Sequence, residues 1–127
     1  MNEPVPNRQS PSFLQLCRQH RQALTMLFQP TPWNWVLSPD GVANVGGTPR
    51  ALGESEVVIP RLDQIMDRLR ELAEVVVIDC LPGDAACLAF DEDGRTLVNV
   101  VANGPEEAAL QALLLLARQS ADPPIKR

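Results

Sequence analysis

The stretch that decides the fold is VVVIDCLPGDAACLAFDEDGRTLVNVVA, residues 75–102. Three runs rich in valine, leucine and alanine are interrupted by Pro82-Gly83-Asp84 and by Asp93-Gly94, residue types that build tight turns. The pattern predicts a three-stranded antiparallel meander with strands over 75–81, 85–90 and 95–102. With Gly83-Asp84 as the first two-residue loop, Leu81 pairs with Ala86 and Cys80 lies opposite Cys87. With Asp93-Gly94 as the second, Val100 comes next in that row.

Side chains alternate along a strand, so this register sorts them between two faces. One face reads Val76, Ile78, Cys80, Cys87, Ala89, Val98, Val100 and Ala102, all apolar. It belongs on a core, and it makes the two cysteines small buried apolar groups. The other face reads Val75, Val77, Asp79, Leu81, Ala86, Leu88, Phe90, Leu97, Asn99 and Val101, with Asp79, Leu88 and Asn99 neighbours in one row. That face is too apolar to be simply wetted, yet it carries two polar groups. The expectation is a covering helix, giving a three-layer sandwich in which Asp79 and Asn99 are hydrogen-bonded; the alternative is a docked partner.

Helices flank the meander. In IPRLDQIMDRLRELAE, residues 59–74, the residues Leu62, Ile65, Met66, Leu69 and Ala73 form one stripe among charged neighbours. Gly104-Pro105-Glu106-Glu107 opens a last helix, expected to reach about Gln119. Proline suits its first position and the carboxylates suit the positive end of its dipole. Leu110, Leu113, Leu114, Leu115 and Leu116 make that helix apolar over most of its circumference, so it is expected to be buried on more than one side.

Upstream, Ser10-Pro11 reads as an N-cap followed by a first helical residue. One helix is predicted from there to about Phe28, with Phe13, Cys17, His20, Leu24 and Leu27 along one stripe. WNWVLSPDGVANVGG, residues 33–47, then predicts a hairpin turned by Pro39-Asp40-Gly41, with Trp33 and Trp35 on the same face of its first strand. Residues 46–56 read as loop. Residues 1–10 and 120–127 read as tails flanking a single α+β domain over 11–119: an antiparallel sheet, made of the meander and the N-terminal hairpin, packed by three helices.

Composition narrows the function. Apolar residues make up 45% of the 127, which is globular rather than disordered. The opening lacks a secretory pattern and no run is long enough to span a bilayer, so a cytoplasmic protein with reduced thiols and no membrane partner is expected. The net charge of −5 is uneven: residues 1–50 hold four arginines against two acids, whereas residues 51–127 hold seven basic groups against fourteen acidic ones. An acidic body repels a phosphate backbone, which makes nucleic acid a poor partner and a basic protein surface a better one.

Few residues offer chemistry. The three cysteines and single histidine allow one zinc alternative, Cys17, His20, Cys80 and Cys87, but six residues separate 80 from 87 where a zinc knuckle uses two to four. A thiolate–imidazole pair of Cys17 with His20 lies on an apolar stripe with no third group. DEDGRT, residues 91–96, lacks the later glutamate of a calcium loop, and Gly46-Gly47 lacks the lysine of a phosphate loop. No catalytic constellation and no cofactor motif emerges.

The stretches VVIPRLDQIMDRLREL and GPEEAALQALLLLARQ resemble small phage- and prophage-encoded proteins of the ABA-sandwich type. In those, a PRLDQL-like segment opens a helix, a short meander follows and a TPEEALLKAL-like helix closes the domain. The match covers Ile59 to Leu72 and Gly104 to Leu116, about half the chain with the strands between, and leaves the first fifty residues without a counterpart. It implies a three-layer fold and a mobile-element setting, and it carries over no catalytic residue.

The functional expectation is a non-enzymatic protein that binds another macromolecule, as an accessory or host-modulating protein of a phage or prophage would. Its expected contact residues are Trp33, Trp35, Asp79, Leu88 and Asn99. Self-association through the last helix or the sheet face is a further option. The alternatives are a small-ligand binder, with a pocket between the tryptophans and the Asp79–Asn99 row, and the zinc-stabilised domain.

Overall fold

A computed structural model of the chain describes residues 11–29, 31, 34–44, 46–47 and 51–121, with backbone alone at 44, 120 and 121. Among the described residues it is an α+β fold of four helices and two antiparallel three-stranded sheets. The chain divides into two compact units, Met1–Arg61 and Leu62–Arg127.

In the first unit, helices α1 (Pro11–Gln19) and α2 (Arg21–Leu27) pack against a sheet of strand order β2-β1-β3. The single helix expected here is two, because His20 leaves helical geometry at φ −116° and ψ 33°. Of the expected stripe, Phe13, Cys17 and Leu24 are buried and His20 and Leu27 half-buried, while Phe28 takes the last buried position in place of Leu27. Strands β1 (Trp35–Ser38) and β2 (Gly41–Asn44) form the expected hairpin, with Ser38 opposite Gly41 across Pro39-Asp40. Gly41 sits at φ 136°, open to glycine and strained for other residues.

Strand β3 (Val57–Ile59) corrects the sequence reading, which gives 46–56 to a loop and starts the next helix at Ile59. Three consecutive β-branched residues before a proline are a fully buried strand in miniature, and all three are buried. β3 pairs antiparallel with β1, Val36 facing Val58. The N-terminal hairpin therefore belongs to a sheet of its own rather than extending the meander. Asn34, just before β1, is fully buried: its Oδ1 accepts from the Thr31 backbone N–H at 2.8 Å and Oγ1 at 2.9 Å, and its Nδ2 donates to the Ile59 carbonyl at 3.3 Å. One amide thus ties the entry of β1 to the end of β3.

In the second unit, α3 (Leu62–Leu72) and α4 (Pro105–Ala121) pack on each other and on a meander of β4 (Val75–Leu81), β5 (Asp84–Phe90) and β6 (Thr96–Ala102). Ile65 and Leu69 of α3 are buried, and α4 buries Glu107 to Leu110, Ala112, Leu113 and Leu116. The four consecutive buried residues Glu107 to Leu110 mean that it is enclosed all round there, after a half-buried start at Pro105 and Glu106, and it lies over β5 and β6 more than over β4. On the apolar face of the sheet Ala85, Cys87, Ala89, Val98 and Val100 are buried, as the alternation requires.

The meander's second register holds as read, with Cys87 opposite Val100, before a bulge at Ala89/Phe90 sets Phe90 against Thr96. Its first register differs by two residues. The turn is Pro82-Gly83, so Leu81 faces Asp84, Cys80 faces Ala85 and Ile78 faces Cys87. The reason is proline: a Gly83-Asp84 loop would place Pro82, which has no N–H, inside the ladder, whereas its fixed φ suits the first turn position and Gly83 takes φ 79° at the second. A slip of two leaves every side chain on its face.

Candidate functional site

The face of the β4–β5–β6 sheet turned away from α4 is open. Val75, Val77, Leu81 and Val101 are 47%, 42%, 45% and 61% exposed. The covering helix expected there is therefore lacking at these positions, and the second unit is two-layered. A sheet presenting four exposed large aliphatic side chains on one face is unusual for a surface that meets only water.

Polar groups on this face are placed differently from the sequence reading. Leu88, half-buried on the central strand, sits in a row with Val77 and Asn99. Asp79 sits in the next row, with Ala86 and Val101, because the Pro82-Gly83 turn moved β4 by two residues. Asp79 and Asn99 are thus on opposite edge strands and one row apart, and both are exposed. Asp84, paired with Leu81, adds a second exposed carboxylate at the hairpin end. No Lys or Arg stands on the three strands.

Trp35 lies in the first unit, half-buried on β1 between Asn44 and Ile59. Trp33 falls outside the described residues.

The cysteines separate into two kinds. Cys17 and Cys87 are buried, and burial raises their thiols from 9.0 to about 12 and about 11 respectively. Neither is a ready nucleophile. Cys80 is exposed, correcting its place in the core: it occupies the apolar side of β4, but at the end of an edge strand, while Ala85 opposite it on β5 is covered. All three thiols are free, and among the described residues no three of His, Cys, Asp and Glu come together as metal ligands. Of the zinc alternative, Cys17 and His20 belong to the first unit and Cys80 and Cys87 to the second, where Cys80 faces Ala85 and Cys87 faces Ile78.

The DEDG turn spends its own chemistry. Asp91 Oδ1 accepts the backbone N–H of Asp93 and of Arg95, both at 2.9 Å. That carboxylate is a turn-former.

A second feature went unread in the sequence. In the first unit a cavity of about 350 Å3 opens between the helices and the β1–β2 hairpin, lined by Arg18, Arg21, Leu37, Ser38, Pro39, Ser55 and Val57. The available signal was the three-residue spacing of the arginines in the half of the chain where positive charge prevails. Among the described residues no helix is long and apolar enough to cross a membrane. No protein-family model, curated protein or solved structure matches this chain.

Proposed function

We propose that this chain is a non-enzymatic protein that works by binding a protein partner with a basic surface on the open face of its second sheet. The observation that carries the reading is the exposed aliphatic row set of Val75, Val77, Leu81 and Val101 with Asp79, Asp84 and Asn99 among it. Apolar area gives the association its driving force, and the carboxylates select a partner bearing lysine or arginine. Residues 62–121 hold eleven Asp and Glu against four Arg, so the field around the face favours the same partner at a distance. Asp79, Leu88 and Asn99 contribute contacts there, and Trp35 and Trp33 are contact residues contributed by the first half of the chain.

The setting that fits is an accessory or host-modulating protein of a phage or prophage, acting in the cytoplasm. The likeness of residues 59–72 and 104–116 to such proteins supports it. The test is a pull-down from host lysate with the wild type, Val77→Lys/Val101→Lys and the control Glu92→Lys, followed by light scattering of the purified pair. A stoichiometric basic partner held by wild type and control, lost with the double variant and released by salt, supports the reading. An unchanged partner list in a folded double variant sinks it. A wild-type dimer dispersed by the double variant would instead assign the face to self-association.

A further inference from the structure

From the cavity in the first unit we infer a binding site for a phosphate monoester carrying a small apolar body. This does not rest on the docking reading, since every lining residue precedes Arg61 and none belongs to the second sheet.

The argument starts from charge. Arg18 closes α1 and Arg21 opens α2, one turn apart, and both line the cavity. Arg18 Nη2 reaches the Ser38 carbonyl at 3.5 Å, a long contact that leaves most of its donors unused. Neither guanidinium has a carboxylate partner among the described residues. The carboxylate of Glu56, next to the lining Ser55, is engaged with the Gly53 N–H at 2.8 Å. Two guanidiniums over one cavity in a chain of net charge −5 are locally against the trend.

The ligand class follows from what the lining can satisfy. Two forks call for a dianion with at least three acceptor oxygens, which a phosphate monoester offers near neutral pH and a carboxylate does not. The Ser55 hydroxyl has no partner among the described residues and supplies another donor, while Ser38 Oγ is already engaged with the Gly41 carbonyl and the Asp40 N–H, each at 3.2 Å. Leu37, Pro39 and Val57 make the remaining lining apolar. Bare phosphate would waste that surface, and about 350 Å3 leaves room for a ring or short alkyl body at the small end of ligand pockets.

Phenyl phosphate is the probe, titrated into the intact chain with amide chemical shifts as the readout. The expected result is saturable shifts confined to 18–21, 37–41 and 55–57, with affinity weakened roughly tenfold by either Arg18→Gln or Arg21→Gln and lost in the pair. These substitutions at exposed Arg18 and half-buried Arg21 are expected to leave the first unit folded, checked by unchanged shifts at its buried Phe13 and Val58, which do not line the cavity. Benzoate and inorganic phosphate are each expected to bind at least about tenfold more weakly than phenyl phosphate. Unsaturable shifts spread along the chain, or undiminished binding by the double variant, would overturn the site. Benzoate binding equally well would overturn the dianion, and inorganic phosphate binding equally well would overturn the apolar body.

Discussion

Asn34 is the polar side chain on which the first unit's sheet depends. Fully buried, it satisfies two donors of Thr31 and uses one of its own on Ile59. Asn34→Ala removes two bonds from half-buried Thr31 and one to the carbonyl of buried Ile59, which costs about 1–3 kcal/mol, readable as a lowered urea midpoint with an unchanged slope. The thiols give a second prediction at this scale. A pKa raised by burial means that the folded chain holds protons the unfolded chain has released, so stability falls as pH rises. The contribution of Cys17 and Cys87 is complete below pH 9.0 and is lost progressively toward about 12 for Cys17 and about 11 for Cys87. Urea titrations at pH 8 and pH 10.5 should show that loss, and Cys17→Ala should flatten it. At pH 8 a thiol reagent should label Cys80 rapidly and the other two only on unfolding. Burial of Cys17 was legible, because it shares a helical stripe with Phe13 and Leu24; exposure of Cys80 was not, because alternation assigns a face and not the extent of its cover.

Elements were legible where turn chemistry and periodicity agreed. The three strands of the meander fall within a residue of their expected limits, and their faces are right even though the first register is off by two. Period-two alternation is blind to such a slip; only the missing N–H of Pro82 distinguishes the two loops. β3 was illegible because three residues offer no alternation, and the break at His20 because Gln19-His20-Arg21 contains neither glycine nor proline to announce it. The turns themselves can be tested. Gly83→Val forces a β-branched residue to φ 79° and should cost about 1–2 kcal/mol, although open space surrounds the site. Asp91→Ala removes two bonds to the turn backbone of Asp93 and Arg95, which remains solvated, so a smaller loss of about 1 kcal/mol is expected from its chemical-denaturation curve.

At the scale of the whole molecule, charge and architecture divide at the same place. Residues 11–61 hold four Arg against three Asp and Glu and contain the arginine-lined cavity, whereas residues 62–121 carry the acidic excess and the open aliphatic face. The second unit also contains its own packing scheme, with α3 on α4 and both on the meander, and with Ile65, Leu69, Cys87, Val100, Leu110 and Leu113 buried. A fragment of residues 62–121 should therefore fold alone. At about 60 residues it buries a smaller share of its surface than a larger domain, so its thermal midpoint should lie below that of the intact chain. Nuclear Overhauser contacts between Ile78 and Cys87 and between Cys87 and Val100 in the fragment would report the same register. A collapsed fragment with poorly dispersed amides and no cross-strand contacts would mean that residues 11–61 are needed to complete its core. If the fragment folds, it should still bind the basic partner through the sheet face, more weakly than the intact chain because Trp33 and Trp35 are missing, and added salt should weaken that binding by raising the dissociation rate less than it lowers the association rate, since steering by a net acidic unit acts mainly on encounter.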